Sequence, residues 1–201
     1  MQYLENFLLE KCSFREYDNF ILENCDPFDC GHDDLNSFFK DDALKFCNEL
    51  LGKSHCFVLQ ENPAVVVCVF TISNDSVKAH DLPNARKKKV TKFIPREKSL
   101  RNYPAVLIGR LRVNVKYRGT SVSLELMNFI KAWFIEPDNK TGCRYVVVDS
   151  YNEPIPLHYY NKNGFETIFS TEEQEKDYLK TPKDKPLKTR LMYFDLIILK
   201  S

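Results

Sequence analysis

Residues 104–135 constrain this chain more than any other stretch. "PAVLIGRLRVNV" (104–115) is strand-like, and its first half is apolar at consecutive positions, as in a strand covered on both faces. "KYRGT" (116–120) then turns around Gly119. "SVSLELMNFIKAWFIE" (121–136) places Val122, Leu126, Phe129 with Ile130, and Trp133 at steps of three and four, the spacing of a helix with one buried stripe. Pro137 stops that helix. "CRYVVVDS" (143–150) is a second buried strand. A strand, a crossover helix and a parallel strand place a ligand beyond the C-terminal ends of the strands, near the helix N-terminus.

The flanking segments fit a mixed α/β domain around this centre. "HDDLNSFFKDDALKFCNELL" (32–51) reads as an amphipathic helix, with Leu35, Phe39, Ala43, Phe46 and Leu50 inward and Asp33 or Asp34 as its cap. "SHCFVLQ" (54–60) and "AVVVCVFTIS" (64–73) read as a hairpin. Residues 78–103 contain Pro83 and Pro95 and read as an irregular crossing with one short helix. "PIPLHYYNKNGF" (154–165) has proline where a helix starts and Gly164 where one ends. "STEEQEKDYLKTPKDKPLK" (170–188) reads as a polar surface excursion, and "TRLMYFDLIIL" (189–199) as the strand that closes the sheet. We expect a single domain over residues 1–201, with its core at about 26–198.

A composition of 43% hydrophobic and 28% charged residues suits a globular protein with a real core. No apolar run reaches the ~18–20 residues of a membrane span, and "MQYLENFLLEKC" lacks the pattern of a secretory leader. The seven cysteines form no CxxC pair, which argues against a disulfide framework or a zinc site; reduced, cytoplasmic thiols are expected, and no metal. Charge is uneven. Residues 10–49 hold 11 acids against 4 bases, and residues 78–118 hold 13 bases against 2 acids, including "RKKK" at Arg86 to Lys89. Such a window is either a solvated loop or a face for a polyanion.

"LIGRLRVNVKYRGTSVSLELMNFIKAWF" followed by "RYVVVDSYNEPIPLHYYNKNGF" resembles the GCN5-related N-acetyltransferase (GNAT) superfamily, in its pyrophosphate-binding motif and the motif after it. "FDCGHDDLNSFFKDDA" (28–43) and "IPREKSLRNYPAVLIGRLRV" (94–113) are similar to the toxin-like branch. The resemblance implies the GNAT (acyl-CoA N-acyltransferase) fold: a central mixed, mostly antiparallel sheet flanked by helices, with a splayed pair of parallel central strands. It also implies acetyl-CoA as co-substrate and direct transfer of its acetyl group to a primary amine.

Such a reaction must hold a pyrophosphate, polarise a thioester carbonyl and protonate a departing thiolate. The resemblance assigns the first task to Arg118, Gly119, Thr120, Ser121, Val122 and Ser123, at a helix N-terminus whose dipole favours anions. Ser121 and Ser123 stand where the family pattern has glycine. A serine costs about 1–2 kcal/mol wherever the backbone is left-handed, but its hydroxyl can donate to a phosphate. The backbone of Leu111 or Val113 is implied for the thioester oxygen, Asn152 for the pantetheine arm or for ordering its own turn, and Tyr160 for the thiolate. A tyrosine with a pKa of about 10 is protonated at neutral pH. No general base stands out: Asp149 reads as a strand-end cap and Glu125 as a solvated helix face.

The resemblance and the basic window together make a charged tRNA the leading acceptor, and imply an antitoxin partner. A protein or small-molecule amine is the alternative acceptor. A non-catalytic GNAT-fold binding module is the contrasting class. No membrane partner is expected, and a homodimer is left open.

Overall fold

The computed structural model describes residues 6–94 and 100–200. In chain order its elements are α1 (Phe7–Lys11), β1 (Cys12–Glu16), α2 (Asn19–Asn24), α3 (Asp33–Ser37), α4 (Ala43–Asn48), β2 (Lys53–Leu59), β3 (Val66–Val77), α5 (Asn84–Val90), β4 (Tyr103–Val113), α6 (Val122–Ile135), β5 (Tyr145–Tyr151), α7 (Pro154–Lys162), β6 (Glu166–Thr167), α8 (Glu172–Leu179) and β7 (Thr189–Asp195). The strands form one seven-stranded sheet in the order β1-β2-β3-β4-β5-β7-β6. It is mostly antiparallel, contains two parallel strands and is flanked by helices.

The strand–turn–helix–strand centre lies where the sequence places it, as β4, α6 and β5. The hairpin of β2 and β3 is antiparallel, with a bulge between Phe57 and Val58. The part of the 78–103 crossing at Pro95 falls outside the described residues.

Packing divides the chain into two compact units: Met1–Ser73 with Ile108–Ile130, and Asn74–Leu107 with Lys131–Ser201. In the first, Phe39, fully buried, meets Tyr17, Phe28 and Phe38 edge-on at ring distances of 5.3–5.8 Å. A second aromatic group joins Phe14, Phe57 and Phe129 at 4.8–5.3 Å. Edge-to-face packing at these separations adds to the burial of the rings themselves.

The 32–51 helix is built differently from its apolar pattern. It is broken by a π-turn over Phe38–Asp42, in which the Ala43 N–H reaches back to the Phe38 carbonyl. His32, not an aspartate, occupies the N-cap; Asp33 and Asp34 lie in the first turn, where they meet the helix dipole. Leu50 is 91% exposed, because the helix ends at Asn48 and Leu50 takes a left-handed conformation. Residues before position 26 also contribute more than expected: Cys12–Glu16 forms an edge strand on β2.

In the second unit, Tyr103, Tyr145, Ile168, Phe169 and Tyr193 are buried together, and the Tyr145 hydroxyl donates to the Val90 carbonyl at 2.8 Å. The 170–188 segment is no plain surface excursion. It contains α8, whose Glu175 is fully buried and accepts from Arg190 Nε at 2.6 Å and from the Leu191 N–H at 2.5 Å. Polar composition hides such a helix, because the buried charge is satisfied by a partner distant in sequence.

Candidate active site

Within the first unit, the chain leaves β4 through Asn114, whose side chain caps a 3-10 turn at Val115–Tyr117. Arg118 is extended, with φ −63° and ψ 146°. Gly119 follows at φ +73°, and a β-carbon built there would meet no atom within 4 Å. Among the described residues, the non-glycine positions with positive φ are Asn6, Leu50 and Lys180. Ser121 and Ser123 therefore carry none of the left-handed strain weighed against them above. The conformational demand of the turn falls on the residue that is glycine.

Ser121 is the helix cap. Its carbonyl accepts from the N–H groups of Leu124 and Glu125 at 2.9 and 3.0 Å. Its hydroxyl is buried and donates to Glu125 Oε1 at 2.8 Å. The other carboxylate oxygen of Glu125 accepts from the Leu8 N–H at 2.9 Å. Glu125 is thus not a solvated helix face; it ties the cap of α6 to α1. Thr120 Oγ1 donates to the Tyr117 carbonyl at 2.6 Å and closes the turn from within. Val122 is fully buried behind it.

Changing Ser121 to glycine, as the family pattern has it, is expected to weaken the protein rather than improve the turn. The variant loses the hydroxyl–carboxylate bond and exchanges serine for a slightly weaker cap, about 1 kcal/mol together. A drop in thermal midpoint with unchanged affinity for acetyl-CoA is the expected result.

Arg118 is held from outside the turn. Its Nη2 donates to the Cys30 carbonyl, and a β-carbon on Gly31, itself at φ +64°, would stand 2.7 Å from that same nitrogen. Asp29 accepts from the Gly31 N–H at 2.7 Å and from Asn36 Nδ2 at 2.9 Å. These bonds first, and the Arg118 charge last, hold its carboxyl below the usual range. The Asp29 carbonyl accepts from the Val115 N–H at 2.9 Å. The acidic "FDCG" stretch is therefore the physical support of the turn. Leu111 is buried and Val113 half-buried along the end of β4.

The remaining assigned residues belong to the second unit. Asn152 Nδ2 donates to Glu172 Oε2 at 3.1 Å and to the Leu187 carbonyl at 3.0 Å, an arrangement that orders the turn before α7. Tyr160 is half-buried on α7, its ring edge-on to Tyr159 at 5.1 Å and to Phe165 at 5.4 Å. Asp149 is exposed on β5, and partial desolvation first, with Asp75 second, raises its carboxyl above its ordinary value.

The basic run at Arg86 to Lys89 is not one solvated face. Arg86 is buried, donating through Nε to the Ile168 carbonyl at 2.5 Å and through Nη2 to Thr167. Lys89 pairs with Glu166 at 2.7 Å. Lys88, Lys92, Arg101 and Lys116 remain exposed.

All seven cysteines are free thiols. Burial pushes Cys12 and Cys56 up to about 12 and Cys143 to about 11, so these sulfurs are protonated and poor nucleophiles. Among the described residues, no group of three or more His, Cys, Asp or Glu could hold a metal ion, and no helix is long and apolar enough to cross a membrane.

The fold is shared with several solved structures. A variant of KacT matches at a TM-score of 0.69 with 16% identity, over 95% of this chain and 98% of that one. AtaT complexed with acetyl-methionyl-tRNAfMet matches at 0.63 with 16% identity, over 94% and 97%. AtaTR bound with AcCoA matches at 0.62 with 16% identity, over 96% and 100%. No family model and no curated protein sequence matches the chain.

Proposed function

We propose that this protein is an acetyl-CoA-dependent N-acetyltransferase whose acceptor is the amine of an aminoacyl-tRNA. The observation that carries the reading is the turn at residues 118–123 within a GNAT fold. Extended Arg118, left-handed and unobstructed Gly119, and the start of a 14-residue helix follow one another without strain. That sequence of conformations suits a pyrophosphate approaching a backbone with a helix dipole behind it.

In this reading the amine nitrogen attacks the thioester carbonyl, the C–S bond breaks, and the sulfur leaves as a thiol with a proton from Tyr160. The amine gives up its own proton to solvent or to a nearby base. No acyl-enzyme forms, in keeping with the buried, raised thiols of Cys12 and Cys56. The backbone of Leu111 or Val113 would meet the carbonyl oxygen, where a fixed N–H dipole stabilises developing charge. An antitoxin partner follows from the same reading, since KacT and AtaT were solved in complexes named KacTA–DNA and with the C-terminus of the antitoxin AtaR.

Acetyl transfer from labelled acetyl-CoA to purified methionyl-tRNA tests the acceptor. Acetylated product that declines steeply with salt is the expected result, because the exposed lysines and arginines would engage phosphates. No product with any aminoacyl-tRNA would remove tRNA from the reading. One observation favours a second acceptor class. Arg86 and Lys89 are engaged within the protein, which leaves less charge for a polyanion and suits a protein or small-molecule amine. Product formed on a peptide or polyamine, and not on tRNA, would select that class.

A further inference from the structure

Lys131 lies on α6, one helical step of four beyond Met127, and is only 6% exposed. Among the described residues no carboxylate pairs with it. Its Nζ donates instead to the Asn163 carbonyl at 2.5 Å. It stands 3.9 Å from the ring centre of Phe194 and 5.4 Å from that of Phe165. A buried ammonium held only by a carbonyl and two ring faces is costly, so its position asks for a reason.

The carbonyl it holds belongs to the residue that ends α7. The Asn163 N–H donates to the carbonyls of Tyr159 and Tyr160, and its Nδ2 donates to Tyr159 at 2.8 Å. Gly164 turns the chain at φ +79°, and the Phe165 N–H returns to the Tyr160 carbonyl at 3.0 Å. The Phe165 ring then packs edge-on against Tyr160. Lys131 thus grips a corner, Asn163 to Phe165, that contacts both the backbone and the ring of Tyr160. A cation at a helix C-terminus also opposes the negative end of the helix dipole.

We propose that Lys131 is a positioning residue: by clamping the Asn163–Phe165 corner it sets the orientation of the Tyr160 hydroxyl. This rests on the reading of Tyr160 as the proton donor, and the experiment separates the two. The first arm is independent of turnover. In protein carrying ring-labelled tyrosine, with the Tyr160 signal assigned from Tyr160→Phe, the Lys131→Met variant should shift or broaden that signal more than those of the other tyrosines. Lys131→Arg, which keeps cation and donor, should restore it. An unmoved Tyr160 signal in Lys131→Met overturns the proposal.

The second arm is a double-mutant cycle on acetyl transfer from acetyl-CoA to methionyl-tRNA. Lys131→Met should lower kcat about tenfold, within what misplacement of a reacting group costs, with KM for acetyl-CoA unchanged. In the Tyr160→Phe background the same change should cost nothing further. An equal loss in both backgrounds means a general structural role and overturns the proposal. If Tyr160→Phe is itself fully active, the proton-donor reading fails while the tyrosine signals still decide the positioning.

Folding stability gives a control. Burial pulls the Lys131 pKa down from 10.5 to about 8. Between those values the unfolded chain binds the proton and the native protein does not. Stability from this group therefore rises with pH across that window, and the charge opposes folding in full below it. Lys131→Met should remove this rise, and a melt of the variant at neutral pH separates lost turnover from lost folded protein.

Discussion

Replacing Tyr160 with phenylalanine is expected to lower acetyl transfer by about a hundredfold or more, the range that a lost general acid costs, with acetyl-CoA affinity within about twofold. The expectation follows from what the hydroxyl alone supplies. The ring is held edge-on by Tyr159 and Phe165, and phenylalanine keeps those contacts. The variant should therefore keep its ring packing and lose the proton that the departing sulfur needs. A thiolate leaving unprotonated raises the barrier of C–S cleavage, so kcat falls while ground-state binding does not. Steady-state kinetics beside a cofactor titration separates the two quantities. Undiminished kcat would strip Tyr160 of its role.

The largest stability effect is expected at Arg190. Glu175 is wholly buried and its carboxylate is shared between the Arg190 guanidinium and the Leu191 N–H. Arg190→Met removes the cation and leaves the carboxylate in place without it, which costs about 3–5 kcal/mol. In a chain of this size that is roughly 10 °C of thermal midpoint. The consequence reaches further than α8. Glu172, one turn earlier on that helix, accepts from Asn152 Nδ2, from the Leu187 N–H at 2.7 Å and from Lys176 at 3.1 Å. Loosening α8 should therefore loosen the turn that carries Asn152 into α7. Thermal melts of Arg190→Met and of the pair Glu175→Gln with Arg190→Met test this. The double variant, with no buried charge to strand, should recover part of the loss.

The elements that the sequence makes readable share one property: their pattern and their burial have the same cause. β4 and α6 are apolar where they are covered, and Gly119 is glycine where φ is positive, so residue type alone reports the structure. The misreadings cluster where a polar group is buried. Glu125, and the segments that hold Arg86 and Glu175, look solvent-facing, because the partners Leu8, Ile168 and Arg190 are remote in sequence; Lys131 is buried against an equally remote partner, Asn163. Lys131 leaves one trace, its position four residues after Met127 on the buried side of α6. The π-turn at Phe38–Asp42 and the edge strand at Cys12–Glu16 leave none, since the first sits inside an ordinary helical pattern and the second has no strict alternation. The serines at 121 and 123 show the converse error. They look like defects only if the left-handed residue is assigned to them, and the backbone assigns it to Gly119.

The proposed activity requires that the Gly119 turn hold acetyl-CoA. Isothermal titration of the purified protein with acetyl-CoA is the most direct test. Saturable binding at one site per chain is predicted, weakened by a bulky acidic substitution, Gly119→Glu, that combines backbone strain with charge repulsion. No detectable binding at millimolar acetyl-CoA would contradict the enzyme reading and leave a GNAT fold that acts by contact alone.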